Sequence, residues 1–195
     1  MLCNKPVNNF LKTTTKLQNN ALKNKFMEKI DMIIHIWNVM AENDKTGAEI
    51  VAELGGKDLN RDGRVVNLVI CGNSKFYDYS WLENQLDLWV EKYAYPDMII
   101  LGGASGVDFL AERWADNNNI PLAVYNEAWS KPRPDFVKDS GRPEAVSSLA
   151  KEMLNNATHM LAFPGPASVW TKKMMEMGVQ MNVPIECVEL PTSGL

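Results

Sequence analysis

The sequence predicts an α/β fold in which a parallel β-sheet is covered by helices on both faces. From Val65 onward, short apolar runs alternate with amphipathic helical segments at a regular interval. Three of the runs end at glycine-containing turns, and the segments between runs are long enough for the helix that a parallel crossover requires. Sheets of this kind bind ligands at the carboxyl ends of their strands. The turns at that edge are therefore where we expect function.

The first predicted strand, residues 65–71, leads through a turn over residues 72–75 into a helix over residues 80–93. Ser80 and Glu83, three residues apart, predict a capping box at the start of that helix. The second strand is an apolar run over residues 98–101, and the following helix has Leu110, Ala111 and Trp114 on one face. The remaining predicted elements are a strand over 120–125, a helix over 143–154, a strand over 158–163, a helix over 168–181 and a strand over 184–189.

Residues 1–64 precede this alternating pattern. Residues 1–20 are rich in asparagine and lysine and predict a tail, whereas residues 21–40 carry an apolar stripe at helical spacing. That stripe needs a partner: the main domain, the short helix predicted over residues 48–54, or a second copy of the chain. Residues 55–64 are turn-rich and charged, and they lack the closing glutamate of a calcium loop because Val69 stands in its place. We predict an extension over residues 1–64 and one domain over residues 65–195.

Composition narrows the class of protein. The chain has 195 residues and a formal net charge of −4, which disfavours a main role in holding a nucleic-acid backbone. The three cysteines are far apart, so we predict no disulfide framework and no metal site, and we expect Cys71 and Cys187 to be small core residues. No membrane span and no signal peptide are predicted, and we expect a cytoplasmic protein.

The glycine pair after the second strand predicts a ligand-binding corner. Gly102, Gly103 and Gly106 carry no side chains that would keep a ligand away, and the helix after them begins with unpaired N–H groups at the positive end of its dipole. A phosphate fits such a corner, with Ser105 adding its hydroxyl group. Asp108 is expected either to accept hydrogen bonds from a ribose or to orient the turn. The spacing matches neither the dinucleotide fingerprint nor a Walker loop.

Two further loops are expected at the same edge of the sheet. Lys75 follows the first strand, and Arg133 lies in the long connection after the third; both are candidate partners for a ligand's charge. Trp129 and Trp170 lie in or beside these loops, where an aromatic ring can stack on a base. The predicted ligand-binding residues are Gly72, Asn73, Ser74, Lys75, Gly102, Gly103, Ala104, Ser105, Gly106, Asp108, Pro164, Gly165 and Ser168.

Several of these motifs resemble a known family. The strand and glycine Val69-Ile70-Cys71-Gly72 with Phe76 beyond it, and Leu101-Gly102-Gly103-Ala104-Ser105-Gly106-Val107-Asp108 followed by Ala111-Glu112-Arg113-Trp114-Ala115, resemble the YspA-like branch of the SLOG superfamily. So do Ile120-Pro121 with Trp129, and Leu161-Ala162-Phe163-Pro164-Gly165. The resemblance covers about residues 65–189. It extends to the Lonely Guy nucleotide hydrolases and the DNA-processing protein A domain.

The resemblance implies a Rossmann-like three-layer sandwich with a sheet of about five strands, here with an N-terminal helical extension. It also implies a nucleotide or nucleotide-derived ligand, with no further cofactor firmly indicated. The chain departs from the family where Ser74 replaces an arginine, where Leu149-Ala150 replace an Arg-Asn pair, and where the last loop reads Pro164-Gly165-Pro166-Ala167-Ser168. Its added proline removes one N–H donor from that loop.

Three functions remain open from the sequence. The first is non-catalytic or sensory binding of a nucleotide or nucleotide-derived ligand. The second is hydrolysis of the N-glycosidic bond of a nucleoside monophosphate, with Asp108 or Glu176 as the carboxylate. The third is an assembly protein that keeps the fold without the ligand, in which the helix over residues 21–40 forms the working surface. We expect a homo-oligomer whose partner is a nucleotide-type small molecule rather than a nucleic acid or a membrane.

Overall fold

The computed structural model describes residues 45–125 and 147–191. Its centre is a five-stranded, all-parallel sheet in the order β3-β2-β1-β4-β5, which confirms the α/β, Rossmann-like prediction. The strands are β1 (Asn67–Gly72), β2 (Met98–Leu101), β3 (Leu122–Val124), β4 (His159–Phe163) and β5 (Ile185–Cys187). The helices are α1 (Gly47–Leu54), α2 (Tyr79–Lys92), α3 (Val107–Asn117), α4 (Ser147–Asn155) and α5 (Val169–Gln180).

The strand order places the reversal of chain direction between β1 and β4. From β1 the chain moves through α2 to β2 and through α3 to β3, whereas from β4 it moves the opposite way through α5 to β5. Because parallel crossovers are right-handed, α2 and α3 cover one face of the sheet and α4 and α5 cover the other. The crevice outside the carboxyl ends of β1 and β4 is the place where folds of this kind bind ligands.

The core is built from strands that are apolar on both faces. Leu68 and Ile70 of β1 and Ile99 of β2 belong to the cluster that packs under α2 and α3, and all three are fully buried. Helix α3 contributes Leu110, Ala111, Trp114 and Ala115 to this cluster, as its spacing predicts. Burial on both faces accounts for the uninterrupted apolar runs in the sequence.

Two helix starts differ from simple sequence expectation. The predicted capping box of Ser80 and Glu83 is wrong, because Asp78 is the N-cap of α2 and its carboxylate accepts a hydrogen bond from the Trp81 N–H at 3.1 Å. Glu83 accepts a hydrogen bond from the Tyr79 hydroxyl group instead. A true capping box, which the sequence reading missed, links Thr46 and Glu49 at the start of α1.

A buried carboxylate fastens the turn-rich segment before β1. Asp97, 1% exposed, accepts hydrogen bonds from the backbone N–H groups of Leu59, Asn60 and Val66 at 2.7 to 2.8 Å. Asp58 accepts from the N–H groups of Asp62 and Gly63, so the residues that resemble a calcium loop form a self-contained turn. Helix α1, which precedes this segment, packs against β3. The domain division near residue 64 stays a prediction.

The predictions for the two cysteines have different outcomes. Cys71 is buried as expected, but Cys187 is exposed because β5 is an edge strand, so the expectation of a core residue there is wrong. The helix over residues 21–40, Trp129 and Arg133 lie outside the described residues. Within the described part of the chain, every helix is too short or too polar to cross a bilayer.

Candidate functional site

The candidate site lies at the crevice between β1 and β4, and Asn73 joins its loops. The Asn73 N–H donates to the Phe163 carbonyl oxygen at 3.0 Å, which ties the β1–α2 loop to the end of β4. The backbone at Gly165 lies directly against the Asn73 side chain, so a Cβ atom at position 165 would collide with it. These contacts bring together two of the three loops that the sequence places at this edge.

The β2–α3 corner is attached to the same residue. The Asn73 carbonyl oxygen accepts a hydrogen bond from the Val107 N–H at 3.2 Å, and the Ser105 hydroxyl group donates to the Ser74 carbonyl oxygen at 3.0 Å. Gly106, at a φ of 73°, lies so close to Asn73 that a Cβ atom would collide with its carbonyl oxygen. The glycine is therefore required for both its conformation and its close approach. All three predicted loops meet.

The Asp108 carboxylate occupies two of the backbone N–H groups of the corner. Its carboxylate accepts a hydrogen bond from the Ala104 N–H at 3.2 Å and another from the Gly102 N–H. The side chain is buried, and burial raises the pKa of Asp108 to about 6, against the opposing effect of these backbone N–H groups. Of the two roles expected from the sequence, the geometry matches the one that orients the turn.

The N–H groups that remain are those of Gly103, Ser105 and Gly106. Within the described residues none of the three has a protein acceptor, and Gly103 and Ser105 are exposed. Gly103 has a φ of 71°, which turns the chain sharply between β2 and the helix. The N–H groups of Ser105 and Gly106 are successive, and successive N–H groups in a turn form a concave site for an anion. Lys75, also exposed, supplies a nearby positive charge on the adjoining loop.

The β4–α5 loop is closed on itself. The Gly165 N–H donates to the Ser168 hydroxyl oxygen at 2.9 Å, and the Ser168 N–H donates back to the Gly165 carbonyl oxygen at 3.1 Å. Pro164 is half-buried at the start of the loop. This loop therefore forms one wall of the crevice, and its hydrogen-bonding groups at Gly165 and Ser168 serve the loop itself.

Helix α5 brings two further residue types to this wall, and one of them was missed from the sequence. The Lys172 ammonium group reaches back to the Pro166 carbonyl oxygen at 3.4 Å, beside Gly165. Trp170, which the sequence did suggest as a stacking residue, is 38% exposed in the first turn of α5. Lysines are frequent on exposed helix faces, so the sequence carried no signal that would single out Lys172.

The two candidate catalytic carboxylates are not brought together. Asp108 starts α3 on one side of the sheet, and Glu176 lies two turns into α5 on the other. Asp108 is buried and held by the turn, whereas Glu176 is exposed. Among residues 45–125 and 147–191, no group of three or more His, Cys, Asp and Glu side chains could hold a metal ion.

Comparison with known proteins found one similarity, which covers the first part of the α/β domain. Residues 66–131 match the model of the YspA, cpYpsA-related SLOG family, a segment that runs from the start of β1 through the glycine corner and past β3. Searches of curated proteins and of solved structures found no match. The matched segment is roughly a third of the chain, and the β4–α5 loop lies outside it. Over this segment, the match confirms the predicted resemblance to the YspA-like SLOG family.

Proposed function

We propose that this chain binds a nucleotide or nucleotide-derived ligand at the carboxyl edge of the sheet, with a phosphate group on the β2–α3 corner. The observation that carries the proposal is the set of backbone N–H groups of Gly103, Ser105 and Gly106, which point to no acceptor in the described chain. They lie at the start of α3, where the helix dipole favours a negative group.

The placement of the corner supports the proposal. The corner is bonded through Asn73 to the crevice between β1 and β4, where α/β sheets of this kind hold ligands. Gly103 is exposed and carries no side chain that would cover the backbone, and Lys75 adds a cation on the adjoining loop. The role is one of binding, because the buried carboxylate of Asp108 is occupied in holding the turn.

The test is isothermal titration calorimetry with adenine and guanine nucleotides and ADP-ribose, on the wild-type chain and on two variants. Gly103→Asp and Gly103→Asn both place a side chain that tolerates a positive φ at this exposed position. The two side chains have the same shape and differ by one negative charge. If a phosphate binds here, the Asp variant should bind at least about ten-fold more weakly than the Asn variant, as Coulomb repulsion predicts.

Two outcomes would contradict the proposal. One is the absence of heat with every nucleotide. The other is a ligand that binds both variants with equal affinity, since a phosphate at this corner would be repelled by the new carboxylate beside it. Lys151→Gln, on the exposed surface of α4, lowers the net charge by the same amount as Gly103→Asp and so controls for a change in net charge alone.

A further inference from the structure

We infer that the first turns of α5 recognise the ligand, with Trp170 stacking on an aromatic base and Lys172 binding a phosphate group. The inference rests on the proposed function and adds the chemistry of the ligand: an anion that carries an aromatic ring. It draws on side chains that lie outside the segment matched by the family model.

The first step is the position of Lys172. Its ammonium group lies 3.4 Å from the Pro166 carbonyl oxygen, next to Gly165, and the Gly165 backbone lies against the Asn73 side chain. A short series of contacts thus connects this cation to the crevice where the three loops meet. The helix-facing side of the crevice carries a positive charge that the β4–α5 loop itself does not supply.

The second step is the position of Trp170. Thr171 is buried against the body of the protein, and Trp170 and Lys172 flank it, each about 100° around the helix. The Lys173 ammonium group lies 4.4 Å from the centre of the Trp170 ring and forms a cation–π contact with it. Trp170 and Lys172 therefore lie on the two flanks of the first turn of α5.

The third step is charge. Within the described residues, neither Lys172 nor Lys173 forms an ion pair; the ion pairs found there join Lys45 to Glu53 and Lys92 to Glu186. Two ammonium groups without a carboxylate partner in the described residues, and an exposed indole ring beside them, favour an anionic aromatic ligand. A neutral ligand would gain nothing from the lysines, and a sugar phosphate would gain nothing from the ring.

The experiment uses three probes that separate base from phosphate: adenosine 5′-monophosphate, ribose 5-phosphate and adenosine. Trp170→Ala should weaken binding of the nucleotide about ten-fold, the order of one base–aromatic stack, and leave ribose 5-phosphate unaffected. Lys172→Gln should weaken both phosphates and leave adenosine unaffected. Trp170→Phe should retain affinity within a few-fold, and Val169→Ala, an exposed neighbour, is the matched control.

Thermal unfolding of each variant establishes that it is folded. If Trp170→Ala is not folded, Trp170→Phe still tests the inference. Unchanged nucleotide affinity in Trp170→Ala, with the effect of Gly103→Asp intact, would overturn this inference and leave the proposed function standing. If the wild-type chain binds none of the phosphate probes, both are overturned. Equal losses for nucleotide and ribose 5-phosphate in Trp170→Ala would show that the ring has no role in stacking.

Discussion

Replacing Asp108 with asparagine should change how the stability of this protein depends on pH. The carboxylate is 5% exposed and is held by the N–H groups of Ala104 and Gly102. Burial raises its pKa to about 6, from an ordinary value of 3.8. Other groups that act on this region are Glu112, one turn further along α3, and Cys71 on β1, whose thiol pKa is raised by burial so that it stays neutral.

The magnitude follows from linkage between protonation and folding. Because the folded state holds the proton more tightly, the contribution of Asp108 to stability is fully present below about pH 4 and is lost as pH rises through about 6. A gap of roughly two pKa units corresponds to about 3 kcal/mol. About 2 kcal/mol of this falls between pH 4.5 and 7.5. Asparagine has no such transition and keeps one oxygen to accept from the turn.

Urea unfolding followed by tryptophan fluorescence measures this directly. We expect the free energy of unfolding of Asp108→Asn, measured relative to that of the wild-type chain, to increase by about 2 kcal/mol between pH 4.5 and 7.5, because only the wild type loses stability over this range. Glu91→Gln, which replaces an exposed carboxylate on α2, is the matched control variant. A difference between Asp108→Asn and wild type that is the same at both pH values would refute the assignment of a desolvated carboxylate at the corner.

Three further predictions concern the rest of the domain. In urea unfolding, Gly106→Ala should cost more than about 2 kcal/mol of stability, because a strained φ is combined with a collision against the Asn73 backbone. Gly63→Ala, at a φ of 89° with open space around it, should cost only about 1 kcal/mol. Equal losses in the two variants would contradict the collision at Gly106. Asp97→Ala should cost about 3 kcal/mol by leaving three N–H groups without an acceptor. Asp58→Ala should cost less than about 1 kcal/mol, because the N–H groups that the Asp58 carboxylate accepts from belong to exposed turn residues. A reversed order would be inconsistent with the role of Asp97. Burial lowers the pKa of His159, so its contribution to stability is present above about pH 6.5 and is lost as pH falls. Between pH 7 and pH 5, the thermal unfolding midpoint should therefore change less in His159→Gln than in the wild-type chain. Parallel curves of midpoint against pH would contradict this.

The fold was predictable because its signals are local. An apolar run such as that of β2 and the helical spacing of Leu110 and Trp114 each lie within a few residues, and both elements form as expected. The start of α2 was not, because two candidate caps, Asp78 and Ser80, compete within one turn. The sequence alone does not decide which of them has the required backbone geometry.

The location of the site was predictable from the sequence, whereas its hydrogen bonds and side-chain contacts were less so. The glycine corner and the loops after β1 and β4 do meet, since the carboxyl ends of parallel strands share one edge. The strand order that makes β1 and β4 neighbours depends on long-range pairing and is not encoded in periodicity. The same holds for Asp108, whose carboxylate could have faced solvent or the turn, and for Lys172, whose reach toward Pro166 depends on how α5 is placed.

The most direct test of ligand binding at the corner is a two-dimensional NMR titration of glycine-labelled protein with adenosine 5′-monophosphate. The chain has 12 glycines, and they include Gly103 and Gly106 at the corner and Gly56 and Gly63 in the turn-rich segment before β1. We predict saturable shifts of the Gly103 and Gly106 amide resonances, with Gly56 and Gly63 unmoved. Saturable binding without a shift of the Gly103 and Gly106 amide resonances would contradict the assignment of the phosphate site.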